Sequence, residues 1–154
     1  MNDKSEQYDR VETELKAYVE GERDWLANFS NCAAILFQTL SDLNWAGFYL
    51  PKGDDLVLGP FQGKPACTRI GPGRGVCGTA ANRRETVVVT DVHEFPGHIA
   101  CDSASRSEIV VPLIVRGQLI GVLDLDSPTC GRFDSLDAQR LEAISKTLLA
   151  ASDI

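Results

Sequence analysis

The 154 residues are enough for one domain with a substantial core, and 44% hydrophobic against 24% charged residues excludes a disordered or collagen-like chain. A formal charge of −7, with no basic cluster longer than Arg83-Arg84, argues against nucleic acid as a partner. The polar start MNDKSEQYDR lacks a secretory pattern and no apolar run approaches the roughly 20 residues of a bilayer span, so the chain reads as one cytoplasmic domain over residues 1–154, without a membrane partner.

In chain order, Tyr8, Val11, Leu15, Tyr18 and Val19 recur at helical spacing and predict an amphipathic helix over 5–20. Asp24 is placed to cap a second helix, whose stripe is Trp25, Phe29, Cys32, Ala33, Leu36 and Leu40. Short β-rich runs follow at 45–50, 56–63, 66–70, 86–92, 109–115 and 119–126, with a helical turn at 76–84 between two of them. Arg116-Gly117-Gln118 joins the last two runs as an antiparallel hairpin. Asp134 or Ser135 then caps a final helix with Leu136, Leu141, Ile144 and Leu148 on its apolar face. Helices at both ends and strands between them predict an α+β fold: an antiparallel β-sheet with the N- and C-terminal helices packed on one face and a loop-enclosed pocket on the other. Residues 91–107 hold His93, Pro96, Gly97, His98 and Cys101 without a period, a long connection of the kind that often carries function.

The five cysteines are an odd number, which a reducing compartment keeps as thiols unless they work catalytically. Cys32 lies on an apolar helical stripe and reads as packing, and Cys130, in the turn Ser127-Pro128-Thr129-Cys130-Gly131, reads as an exposed bystander. Cys67 at the start of a strand, Cys77 in a glycine-rich turn over 71–78 and Cys101 on the long loop leave redox or nucleophilic chemistry and simple filler both open. Gaps of ten and twenty-four residues without a C-x-x-C knuckle disfavour zinc, so no metal is expected. Gly73-Arg74-Gly75-Val76-Cys77-Gly78 satisfies G-x-G-x-x-G, but two helices ahead of a strand cluster are the wrong context for a dinucleotide, and the glycines read as a tight turn. His93 and His98 read as solvated loop residues without a role.

Alternation along 119–126 puts Asp124 and Asp126 on one face with Ile120 and Val122, and Leu123 and Leu125 on the other. A wet strand end is the ordinary explanation. Apolar neighbours would instead desolvate the carboxyls and raise their pKa, which suits a proton donor, and Glu108 joins them across the hairpin. Trp45 and Tyr49, four apart in a strand, share a face; they either fill a core or wall a pocket for a methyl group or cation.

Several segments carry a resemblance to a known family. These are Asn44-Trp45-Ala46-Gly47-Phe48-Tyr49, then Leu58-Gly59-Pro60-Phe61-Gln62-Gly63-Lys64-Pro65-Ala66-Cys67, then Gly73-Arg74-Gly75-Val76-Cys77-Gly78-Thr79-Ala80, followed by HIACD, SRSEIVVP and LDLDSP. Together they resemble the free methionine-(R)-sulfoxide reductases, which are stand-alone GAF domains. The resemblance implies reduction of the free amino acid methionine-R-sulfoxide, with Cys101 as the attacking thiol, Cys67 as the main resolving thiol and Cys77 as a secondary recycling partner. It also implies Trp45 and Tyr49 at the substrate's methyl end, and Glu108, Asp124 and Asp126 as acids that bind the sulfoxide and help protonate its oxygen. No bound cofactor is implied; thioredoxin is the external reductant, drawing on NADPH through thioredoxin reductase, and a homodimer is compatible with it. Two rivals remain. A GAF sensor would bind a cyclic nucleotide, a tetrapyrrole or another small ligand and leave the thiols without purpose, and a thiol peroxidase would be hindered by acids beside its thiolate.

Overall fold

The computed structural model describes residues 3–98 and 102–154. Each long helix starts at an aspartate whose carboxylate satisfies an otherwise orphaned backbone N–H. Asp3 accepts from the Glu6 amide at 2.8 Å ahead of α1 (Lys4–Val19), and Asp24 accepts from that of Ala27 at 3.0 Å ahead of α2 (Trp25–Thr39). Asp134 and Asp137 close a reciprocal capping box at the start of α4 (Ser135–Ala151). Along α1 the buried stripe is Tyr8, Val11, Leu15 and Val19; Tyr18, one helical step from Val19, is exposed rather than part of it.

The strands are β1 (Trp45–Lys52), β2 (Asp55–Gly63), β3 (Arg69–Ile70), β4 (Val87–Val89), β5 (Ser107–Val115) and β6 (Gln118–Ser127), and α3 (Gly75–Arg83) lies between β3 and β4. They form one sheet in the order β3-β2-β1-β6-β5-β4, antiparallel at every step. Arg116 and Gly117, both with positive φ (52° and 78°), close the β5–β6 turn as a two-residue hairpin connection matched to strand twist.

Two predicted strands are shorter than expected. The run over 66–70 forms a strand only at Arg69–Ile70: the Thr68 carbonyl still accepts from the Leu58 amide at 2.9 Å, but the Cys67 carbonyl is taken by the Tyr49 hydroxyl at 2.8 Å, and just ahead of the run the Lys64 carbonyl accepts from the Trp45 indole at 3.1 Å. Cys67 therefore precedes a strand rather than beginning one. The run over 86–92 stops at Val89, and Asp91 caps a 3-10 turn at Val92–Glu94 by accepting from the His93 amide at 3.0 Å.

The sheet separates two apolar clusters. On one face α1, α2 and α4 pack against Ala46, Phe48, Ile109, Val111, Leu113, Leu123 and Leu125, with the Phe29 and Phe48 rings 4.5 Å apart. On the other face α3 covers Trp45, Tyr49, Val110 and Val122. Ile120 packs on the α1/α2/α4 side and not with Val122, because the β5–β6 register shifts between Leu113 and Ile114 and breaks the alternation. The helical face also holds one buried charge. Asp137 is bonded by Lys4 at 2.7 Å, Arg132 at 3.2 Å and the Tyr8 hydroxyl at 2.6 Å, so its desolvation is offset by two cations and a hydroxyl donor. Among the described residues, no helix is long and apolar enough to cross a membrane.

Candidate functional site

The α3 face of the sheet holds a cavity bounded by Trp45 and Tyr49 of β1, Cys77 of α3, Glu108 of β5, and Asp124 and Asp126 of β6. Register builds it. Glu108 pairs directly with Asp126, and Val110 with Asp124, so the three acids share the face of Val110 and Val122, away from the long helices. Cys77, where the glycine-rich turn over 71–78 overlaps the helical turn expected at 76–84, sits in the first turn of α3, buried. The glycines do shape its approach: Gly73 and Gly75 have φ of 68° and 63°, and a Cβ on Gly78 would lie 2.6 Å from the carbonyl carbon of Gly73.

Burial dominates the electrostatics. Glu108 is held well above the ordinary carboxylic range by desolvation, then by the charges of Asp124 and Asp126, and by donating hydrogen bonds to both. Asp126 is also raised well above its usual value by desolvation and by Asp124. Asp124 is raised by burial, against the stabilising hydrogen bonds it receives from Glu108 and Cys77. Among the described residues none of these three carboxyls forms a salt bridge. Glu108 is thus the natural holder of a proton shared across the trio. The Cys77 thiol is pushed well above its ordinary value by burial and by Asp124, Glu108 and Asp126, so it is protonated near neutral pH. One oxygen, Asp124 Oδ1, is buried without a hydrogen-bond partner.

Trp45 and Tyr49 stack with ring centroids 6.0 Å apart and Phe61 extends the stack, 5.3 Å from Trp45. Their polar atoms are occupied by the carbonyls of Lys64 and Cys67, so both rings are fixed as an apolar wall. Cys67 is in a disulfide, whereas Cys32, Cys77 and Cys130 are free. Cys32 is buried in the helical core with its thiol pushed up to about 12 by desolvation, which fits packing. Cys130 is exposed and receives a 3.4 Å contact from the Arg106 guanidinium. Cys101 lies outside the described residues.

Other lining residues were not singled out from sequence. Asp102 and Ser105 reach the cavity from the loop base, where Asn44 Nδ2 donates to Asp102 Oδ2 at 3.1 Å and Ser105 Oγ at 3.0 Å. Arg74, at the N-cap of α3, lines the rim; as the one cation inside the glycine-rich motif, it carried a legible signal. His98, expected to be solvated, lines the cavity with Nδ1 buried and unpartnered, and burial and then His93 lower its pKa. At about 50 Å³ the cavity is far below the roughly 300–1,000 Å³ of pockets for drug-sized ligands, which favours a compact solute over a tetrapyrrole or cyclic nucleotide.

The GAF domain family matches residues 24–151. The free methionine-R-sulfoxide reductase of Escherichia coli is 52% identical over 153 residues, covering 97% of this chain and 93% of that protein. The protein of the same name from Saccharomyces cerevisiae is 44% identical over 137 residues, covering 84% and 76%. The X-ray structure of free methionine-R-sulfoxide reductase from Neisseria meningitidis in complex with its substrate superimposes with a TM-score of 0.94 at 49% identity, over 98% of this chain and 91% of that one.

Proposed function

The chain belongs to the GAF-domain family and within it to the free methionine-R-sulfoxide reductases, and from that premise we propose that it reduces free L-methionine-(R)-sulfoxide to L-methionine in the cavity between β1, β6 and α3. The observation that carries this reading is the buried trio of Glu108, Asp124 and Asp126, raised in pKa beside the stacked rings of Trp45 and Tyr49. A sulfoxide has a small apolar end and a strongly accepting oxygen, and those two walls meet both needs. The rings take the methyl group, and the protonated carboxyl donates to the oxygen. Arg74 at the rim is suited to the substrate's carboxylate, with the uncapped amides of α3 beside it.

The Cys101 thiolate attacks the sulfoxide sulfur; as the carboxyl delivers a proton to the oxygen, the oxygen passes to the Cys101 sulfur and its bond to the substrate sulfur breaks, leaving methionine and a Cys101 sulfenic acid. The Cys67 thiol then displaces that oxygen as water and forms a disulfide with Cys101. The disulfide state of Cys67 supports its part in such a couple. A thioredoxin-type dithiol, reduced in turn from NADPH by thioredoxin reductase, exchanges with the disulfide and restores both thiols. Cys77, protonated and buried, is a poor first nucleophile and serves as the secondary partner. The protein acts as a single GAF domain over 1–154 in the cytoplasm, where such a reductant is present.

The test is a thioredoxin-coupled assay of NADPH oxidation with each sulfoxide epimer, free and within a peptide. The free R epimer should be consumed and the S epimer and peptide should not. Cys101→Ser should be inactive, and Cys67→Ser should release about one methionine per site before slowing. Full turnover by Cys101→Ser, or equal rates on peptide and free substrate, would overturn the assignment.

A further inference from the structure

The geometry points to a binding site for a thiophilic divalent cation of the zinc class, formed by Cys77 Sγ and one carboxylate oxygen each from Glu108 and Asp124. These three donor atoms lie within 4.8 Å of one another, on buried side chains that line the cavity. Cysteine spacing hides the site, because two of its three donors are carboxylates supplied by the β5–β6 ladder.

Several observations make this more than a cluster of acids. Asp124 is 5% exposed, and its Oδ1 lies inside the protein with no hydrogen-bond partner, an acceptor left without the charge it would favour. A divalent cation would satisfy that oxygen and at the same time neutralise the repulsion among the acids. Sulfur adds the selectivity: one thiolate with two carboxylates suits zinc, cadmium or cobalt(II), whereas magnesium and calcium call for more oxygen donors. Tetrahedral zinc with bonds near 2.0–2.3 Å places its donors roughly 3.3–3.5 Å apart, so donors within 4.8 Å of one another would contract by at most about 1.5 Å. Three protein donors leave a fourth position open to the cavity. A bound ion would therefore occupy the space assigned above to the sulfoxide and act as an inhibitor, although its binding does not depend on that assignment. Binding releases the protons held by the thiol and by the carboxyls.

The experiment uses protein with Cys67 in its disulfide, in a Cys130→Ser background that removes the exposed thiol. Zinc is titrated against a chromophoric zinc indicator, and cobalt(II) is followed by its thiolate charge-transfer absorption. One ion per chain is expected, with a cobalt–thiolate band. Cys77→Ser and Cys77→Ala should abolish that band and weaken zinc at least about tenfold, and isosteric Asp124→Asn should weaken it comparably. Cys32→Ser should change nothing, and magnesium should not compete. Absence of binding, or binding that survives both Cys77 substitutions and Asp124→Asn, overturns the proposal. Because binding is read directly, a failure here and a failure of sulfoxide reduction are separate results.

Discussion

The Tyr49 hydroxyl donates a 2.8 Å hydrogen bond to the carbonyl of Cys67, so a ring in the cavity wall holds the backbone of a disulfide-bonded cysteine from 18 residues away. Tyr49→Phe keeps the ring and deletes only this tether. Losing one net hydrogen bond of about 1 kcal/mol should slow disulfide formation by about fivefold while KM stays near wild type. Rapid-quench measurement of methionine release against disulfide formation separates the two steps.

The raised pKa values of Glu108 and Asp126 set the sign of a stability effect. The native state keeps protons that the unfolded chain releases near the usual carboxylate pKa of about 4. Their stabilising contribution is therefore complete below that pH and declines as pH rises toward the elevated native values. Glu108→Gln should flatten the pH dependence of Tm between pH 4.5 and 8 and melt above wild type at the upper end, while losing sulfoxide reduction. A variant that melts below wild type at pH 8 would contradict this account.

Gly78 permits α3 to approach the Gly73 turn, and an alanine Cβ there would meet backbone at 2.6 Å. Gly78→Ala should cost about 1–3 kcal/mol by overpacking and displace Cys77, the preceding residue. Urea unfolding reads the first effect and the rate of Cys77 alkylation the second, which should rise.

Asp137→Ala leaves Lys4 and Arg132 facing each other without their shared anion. A loss of about 3–5 kcal/mol is expected in denaturant titration. Because Asp137 lies in α4, on the opposite face of the sheet from the acids, specific activity of the folded fraction should stay within about twofold of wild type.

The framework was readable because local and tertiary preferences agree. Asp24 and Asp134 cap as their positions foretold, and the strand alternation correctly set Asp124 and Asp126 on the opposite side from Leu123 and Leu125. The errors fall where tertiary contacts override local pattern. Ile120 changes sides at a register shift, and within 66–70 the carbonyl of Cys67 bonds the Tyr49 hydroxyl rather than a neighbouring strand. His98 gave no signal, since nothing in its neighbours' sequence reveals that one ring nitrogen is buried. The roles of the cysteines came from family resemblance, because spacing alone left chemistry and filler equally open.

Both ends of α3 are pinned. Gly78 presses on the Gly73 turn at one end; at the other, Arg84, in the left-handed conformation, returns its amide to the Ala80 carbonyl and its guanidinium to the carbonyl of Gly117 at the hairpin tip. The sulfur of Cys77 therefore rides on a helix held at both ends. In the proposed cycle, a thiol or disulfide exchanging with Cys77 would therefore have to come to it, making Cys77 a berth rather than a courier of oxidising equivalents.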